Sequence, residues 1–234
     1  MAKKCYLGMD VGGTNIKIVA SDETLKPFFQ QTIGTYASEP QKEFADKLAA
    51  EAMLLLASHN LVGALKGVCM TLPGQVDTVR NVPLKVNALG WKTCNFDLVE
   101  RMEALLACPV YLVNDGNAHL LGESVKGAAQ GVQDVVLLSF GTGVGGGVMS
   151  HGRLLEGDCG IAGELGHMIV QADGELCNCG NRGCLQAYCS ARAVLKYTRE
   201  QMKLNRDTAL WTLTEGDLAN LILPMIAQGA SQGG

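Results

Sequence analysis

The sequence predicts an α/β protein built as two lobes, and three observations carry that prediction. Glycine is abundant, 29 of 234 residues, while aromatic residues make up only 5 %, a balance that suits tight backbone turns better than a helical bundle. Strand-like and helix-like segments alternate along the chain. A unit of strand, glycine-rich turn and strand occurs twice, around "DVGGT" and around "FGTGVGGG".

Taken in order, "KKCYLGMD" and "NIKIVAS" read as strands joined by the tight link "VGGT", and "PFFQQTIGTY" adds a third strand to an antiparallel meander. From Pro40 to His59 the pattern turns helical, with Phe44, Leu48, Ala52, Leu55 and Leu56 on one face. "LKGVCMTLPG" reads as a buried strand ending in a Pro-Gly turn. "FDLVERMEALLACPV" reads as a helix stopped before Pro109. "VYLVND" is an apolar strand that ends in polar residues, followed by a helical "GNAHLLGESVKGAA". "DVVLLSFGTGVGGGVMSHGRLL" repeats the strand, turn, strand unit. The boundary between lobes is expected near Asn117, giving residues 1–117 and 118–234. Beyond Cys184 the chain reads as helical to about Lys203, and the end, "LILPMIAQGASQGG", as a frayed tail.

Hydrophobic residues are 47 % and charged residues 18 % of the chain, enough for a substantial core. The net charge is −4 and no basic stripe appears, which argues against nucleic acid as a partner. The first ten residues, "MAKKCYLGMD", lack the apolar core of a signal peptide. No run approaches the roughly 18 apolar residues of a membrane span. Six of the nine cysteines, Cys5, Cys69, Cys94, Cys108, Cys159 and Cys189, are scattered, several within apolar runs. That usage fits a reducing cytoplasm better than a disulfide scaffold.

The remaining cysteines cluster. His167, Cys177, Cys179 and Cys184 give H-x9-C-x-C-x4-C. Soft thiolates with one imidazole at short spacing favour zinc in tetrahedral geometry. The alternative is three buried cysteines that are neighbours by accident, but "ELCNCGNRGC" is polar and offers little to bury a thiol. Four protein ligands leave no open coordination position, so the metal would brace a loop.

"FGTGVGGG" contains G-x-G-x-x-G at Gly141, Gly143 and Gly146. The dinucleotide fingerprint needs a helix next, whereas "GVMSHGRLL" is strand-like, so that reading fails. A glycine-rich hairpin tip can still cradle phosphate with its N–H groups. A plain β-turn is the alternative for either tip alone. Two such tips, with Asp10 placed to hold magnesium or its water shell, a hydroxyl at Thr14 and a charge at Lys17, point to a grip on a nucleoside triphosphate tail.

"DVGGTNIK", "VND", "GTGVGGG", "GELGH" and "CNCGNRGCL" stand in the order found in ROK-family sugar kinases, and the chain resembles that family from residue 4 to about residue 200. The resemblance implies an actin-like ATPase (ribonuclease H-like) fold. The family includes glucokinases, fructokinases, allose kinases and N-acetylhexosamine kinases. It also includes sugar-responsive repressors with an N-terminal helix-turn-helix. This chain opens directly on its first strand, which resembles the kinase branch. The resemblance implies that Gly12, Gly13 and Thr14 meet the ATP phosphates, with Asp10 near Mg²⁺, and that Thr142 and Gly143 form a second phosphate turn. It implies Asp115 as general base, with Asn114 beside it on a sugar hydroxyl. Gly74 and Asn87 would line the sugar pocket. Glu164 and His167 would bind sugar hydroxyls, His167 keeping its other ring nitrogen for structural zinc. On the residues alone, the N-cap of the following helix is the favoured reading of Asp115, and the surrounding motifs turn it to the base.

Two features depart from the family pattern. Gln186 stands where the family carries a glutamate that contacts the sugar; glutamine is uncharged and can donate as well as accept, so it remains a candidate sugar ligand with altered choice. Family members also run longer at the C-terminal end, with a strand and a Gly-Gly turn that hold adenosine. The expectation is an ATP-dependent hexose kinase acting at carbon 6 of glucose or a related hexose or N-acetylhexosamine, in the cytoplasm, with a homodimer possible by family habit. The rival is a non-catalytic sugar-binding sensor or regulator that has lost nucleotide binding.

Overall fold

The computed structural model describes residues 4–91, 96–158 and 160–231, so Cys94 and Cys159 lie outside the described residues. The chain folds as two compact units: Met1–Val136 with Gly147–Gly163, and Leu137–Gly146 with Glu164–Gly234.

The first unit opens on the expected meander: β1 (Cys5–Val11), β2 (Asn15–Ser21) and β3 (Pro27–Gly34). Helix α1 (Gln41–Ser58) follows, with Pro40 in the N-cap position, where an extended residue ahead of the first turn costs nothing. Its inward face is Phe44, Ala45, Leu48, Ala49, Ala52 and Leu56; Leu55 is only half-buried at the edge of that stripe. Next come β4 (Leu65–Leu72) and a short hairpin, β5 (Gln75–Asp77) with β6 (Val82–Lys85). Helix α2 (Leu98–Leu106) begins at Asp97, whose carboxylate accepts the Glu100 N–H. It ends at Ala107 in left-handed conformation, two residues before Pro109. Strand β7 (Val110–Asn114) leads without a loop into α3 (Asp115–Lys126).

The main sheet has the order β3-β2-β1-β4-β7. The meander strands are antiparallel, while β1, β4 and β7 run parallel. Its core is fully buried at Leu7, Met9, Ile16, Ile18, Met70 and Leu72, and packs against Phe44 and Leu48 of α1 and Leu98 and Met102 of α2. Asn81 clamps the edge of β7, its amide accepting from the Leu112 N–H and donating to the Val110 carbonyl, each at 2.7 Å. The boundary expected near Asn117 falls inside α3, where Asn117 and Leu120 are buried in the first unit.

The repeated unit is present as β8 (Val135–Phe140), β9 (Val144–Ser150) and β10 (Arg153–Leu154), in sheet order β10-β9-β8. The second unit holds α4 (Gln186–Cys189), α5 (Ala191–Leu204), α6 (Leu210–Leu213) and α7 (Leu223–Ser231). The predicted single helix after Cys184 is split at Ser190, which turns extended and caps α5 by accepting the Ala193 N–H. The tail predicted to fray is helical in α7. Met225 and Ile226 pack against Met202, Leu210 and Leu221, so tertiary burial offsets the weak local propensity of this glycine-containing stretch.

Among the described residues no two cysteines are joined by a disulfide. Among the described residues no helix is long and apolar enough to cross a membrane.

Candidate functional site

In the first unit, the candidate residues collect at the carboxyl ends of β1, β4 and β7, the edge where open α/β sheets bind ligands. Register puts Asp10 beside Thr71, and Leu72 beside Asn114. The Thr71 hydroxyl donates to Asp10 Oδ1 at 2.8 Å. The link between β1 and β2 is closed by the Gly12 N–H on the Asn15 carbonyl at 2.9 Å, and by Thr35, whose hydroxyl donates to the Gly12 carbonyl at 2.7 Å. Gly13 and Thr14 are exposed at the tip, and Lys17 lies opposite Asp10 across the strand pair.

Asp115 is the first residue of α3, and it is not the cap. That part is taken by Asn114, whose Oδ1 accepts the Asn117 N–H at 3.2 Å and whose Nδ2 donates to the Gly74 carbonyl at 3.3 Å. Asp115 Oδ1 accepts the Gly116 N–H at 2.8 Å. Burial pushes the Asp115 carboxyl above the usual range, and the charge of Asp10 adds to it; the Gly116 N–H and His119 oppose. A carboxylate destabilised in this way is a better proton acceptor than a solvated one. Asn87 opens a short 3-10 turn, Asn87–Leu89; its side chain lies outside the described residues.

In the second unit, Thr142 is exposed and Gly143 half-buried in the turn between β8 and β9, which is closed by the Gly141 N–H on the Gly143 carbonyl at 2.9 Å. "GELGH" packs directly on this turn. A Cβ on Gly166 would stand 2.0 Å from the Val144 carbonyl oxygen, so only glycine lets the two backbones meet. Glu164 precedes a short 3-10 turn, Leu165–His167, and its carbonyl accepts the His167 N–H at 3.0 Å.

The metal-ligating candidates come together. The ligand atoms of His167, Cys177, Cys179 and Cys184 all lie within 4.8 Å of one another. Cys177 Sγ is 3.7 Å from His167 Nδ1, and Cys179 Sγ is 3.7 Å from Cys184 Sγ. Tetrahedral zinc with Zn–S bonds of about 2.3 Å separates its ligand atoms by about 3.8 Å, so both the donor set and its spacing fit zinc. The loop closes through Gly183, at φ +78°, where a Cβ would meet the Gln171 carbonyl at 1.7 Å. Burial raises Cys177, but the Cys179 backbone N–H, the Gln186 amide and the neighbouring thiols outweigh it and bring the thiol down to about 7. Burial and the adjacent thiols push Cys184 up to about 12. One thiol is therefore ready to ionise, and the most buried one ionises only against a cation.

Gln186 is tied on both sides. Its Oε1 accepts the Val144 N–H at 3.3 Å, and its Nε2 donates to Asn178 Oδ1 at 2.6 Å and Cys177 Sγ at 3.4 Å. Sequence reasoning missed Thr71 and Asn178, because nothing local marks a threonine within a strand or an asparagine between two ligands as a partner of Asp10 or Gln186.

A glucokinase of Thermotoga maritima is 36 % identical over 214 residues, covering 91 % of this chain and 66 % of that protein. A Bacillus subtilis xylose repressor is 34 % identical over 145 residues, covering 62 % of this chain and 36 % of that protein. Among solved structures, a ROK family glucokinase from Streptomyces griseus in complex with glucose and AMPPNP superposes with a TM-score of 0.79 at 30 % identity, over 98 % of this chain and 72 % of that one. The chain spans about two thirds of the length of the curated relatives that it matches first, 66 % and 64 %. The ROK family model matches residues 6–227, and with the glycine-rich turns, the "GELGH" segment and the thiol cluster all in place, the chain belongs to the ROK family.

Proposed function

We propose that this protein transfers a phosphoryl group from ATP to a hexose hydroxyl, at carbon 6 of glucose or a related hexose or N-acetylhexosamine. The observation that carries the reading is Asp115: a carboxylate at the end of β7, relieved of capping duty by Asn114 and raised by burial. A sugar hydroxyl is a weak nucleophile, and a carboxylate within hydrogen-bond reach accepts its proton as the bond to phosphorus forms. In the first unit, Gly12, Gly13, Thr14 and Lys17 meet the phosphates, and Asn114, Gly74 and Asn87 serve the sugar. Asp10, held by Thr71, takes Mg²⁺ or its water shell. Magnesium, when bound with ATP, neutralises charge on the transferring phosphoryl group. In the second unit, Thr142 and Gly143 offer further phosphate contacts, and Glu164, His167 and Gln186 serve sugar hydroxyls. With Nδ1 turned to the thiolates, His167 keeps Nε2 for a hydroxyl, and zinc would fix the ring's orientation.

The similarity to a xylose repressor over 145 residues supports a second reading, a sugar-binding regulator without catalysis. A coupled ADP-release assay over a panel of hexoses, run on this chain and on Asp115→Asn, tests both. The kinase reading expects turnover that falls by about 10²–10⁴ in the variant. Turnover that survives removes Asp115 from the base role. Sugar binding without nucleotide binding or turnover establishes the regulator.

A further inference from the structure

Gln186 occupies an unusual position between two segments. It follows the last thiol of the cluster, Cys184, by two residues, and it opens α4. On one side its Oε1 accepts the Val144 N–H, at the β9 end of the glycine-rich turn. Gly143 leaves room for the same oxygen, since a Cβ there would stand 3.1 Å from it. The β8 end of the turn is held by the same stretch of chain: the Ala191 N–H donates to the Gly141 carbonyl at 2.8 Å. On the other side, Gln186 Nε2 donates to Asn178 Oδ1 and to Cys177 Sγ. Thr142, Cys177, Asn178, Gln186, Ser190 and Arg192 line one hollow, so the turn and the metal loop are walls of the same cavity.

A primary amide has two distinct ends, and which end faces Val144 matters. With oxygen toward Val144 the N–H is satisfied; flipped, the NH₂ group would oppose another donor. The thiolate and the Asn178 oxygen decide the orientation, because both accept and neither can donate once the sulfur is bound to metal. We propose that Gln186 is a positioning residue that transmits occupancy of the His167, Cys177, Cys179, Cys184 cluster to the Gly141–Val144 turn, so that a filled cluster holds this turn in its phosphate-ready shape. The consequence for nucleotide rests on the functional reading given above; the mechanical link does not.

The test is hydrogen exchange measured by mass spectrometry over residues 141–146, on the whole chain, with zinc loaded and after removal by a chelator. In the wild type, removing zinc is expected to speed exchange of this segment at least about fivefold, the lower end of ordinary site-to-site coupling. In Gln186→Leu, exchange is already fast with zinc bound and responds less than about twofold to the chelator, below that coupling range. Gln186→Glu carries the test should Gln186→Leu fail to fold by circular dichroism, while Asn178→Ala keeps both the Cys177–Gln186 and the Gln186–Val144 bonds and is expected to respond to the chelator as the wild type does. Gln186→Glu keeps the acceptor for Val144 but loses both donors, so it is expected to behave as the leucine variant does, which a merely space-filling role would not produce. Equal responses in the wild type and the Gln186 variants, or no response in the wild type, overturn the proposal. Tripolyphosphate titration then separates the two readings. By reciprocity, polyphosphate bound at the turn tightens the affinity for zinc in the wild type and not in Gln186→Leu. An intact exchange response without polyphosphate binding keeps the link and overturns only the phosphate role of the turn.

Discussion

Thr71 donates its hydroxyl to Asp10 Oδ1 at 2.8 Å, joining two residues 61 positions apart at the carboxyl ends of adjacent parallel strands. Thr71 is nearly buried, 9 % exposed, so the bond is shielded from water on one side and fixes the direction in which Asp10 presents its second oxygen. Thr71→Val keeps the shape and removes the donor. The expected result is a loss of about 1 kcal/mol in stability and weaker Mg²⁺-dependent nucleotide binding, read by thermal melting and by a magnesium titration of nucleotide affinity. Unchanged magnesium dependence would separate Asp10 from the metal role.

Asp115 has a pKa above the ordinary carboxylate range, chiefly through burial. As a base it must be ionised, so activity is expected to fall as the pH drops through that raised value, giving an acidic limb above the usual aspartate range. Stability responds in the opposite direction. The ionised form is disfavoured in the fold, so Asp115 destabilises the protein at pH above its folded value and has no effect below its unfolded value. Asp115→Asn is therefore expected to melt higher than wild type at neutral pH, with the gap closing in acid. A variant that melts lower at every pH would contradict the burial account.

Zinc analysis of the purified protein is expected to find about one ion per chain. Cys184→Ser, which removes the most buried thiol of the cluster, is expected to lose the ion and to loosen residues 167–184 towards protease. Because the thiols must give up protons to bind metal, affinity should fall as the pH is lowered. A chelator-competition series across pH measures this directly, and a flat profile would mean that the thiolates are not the ligands.

Gly166 and the Val144 carbonyl are packed so closely that a Cβ would stand at 2.0 Å. Gly166→Ala must push "GELGH" off the glycine-rich turn, at a cost of roughly 1–3 kcal/mol. Sugar affinity is expected to fall with it, because Glu164 and His167 ride on the displaced segment. Calorimetric titration with glucose, beside a melting curve, distinguishes the displacement from simple unfolding.

Much of this arrangement is legible locally. The alternation in "CYLGMDV" and "NIKIVAS" marks two half-buried strands, and the 3.6-residue spacing of Phe44, Leu48 and Ala52 marks α1, because period alone decides which face is buried. The thiol cluster is legible because its three cysteines lie within eight residues, with Gly180 and Gly183 between them to turn the chain back. The hairpin of β5 and β6 escapes such a reading: strands of three and four residues are too short to show a period. The helix α7 escapes it for another reason, since Gly229 and Ser231 weaken its local propensity and contact with Met202, Leu210 and Leu221 makes the helix worth forming.

The strands β1 to β4 and β7 to β9, the helices α1 to α3, the two glycine-rich turns and the cluster of metal-ligating candidates follow from short stretches of chain, and so they stand in the amino-acid sequence without help from the fold. Three other outcomes needed the folded chain: Asn114 rather than Asp115 caps α3, Thr71 holds Asp10, and Gln186 spans from Val144 to Cys177. Each of these depends on sheet register or on where a loop crosses another backbone, and no local spacing encodes either.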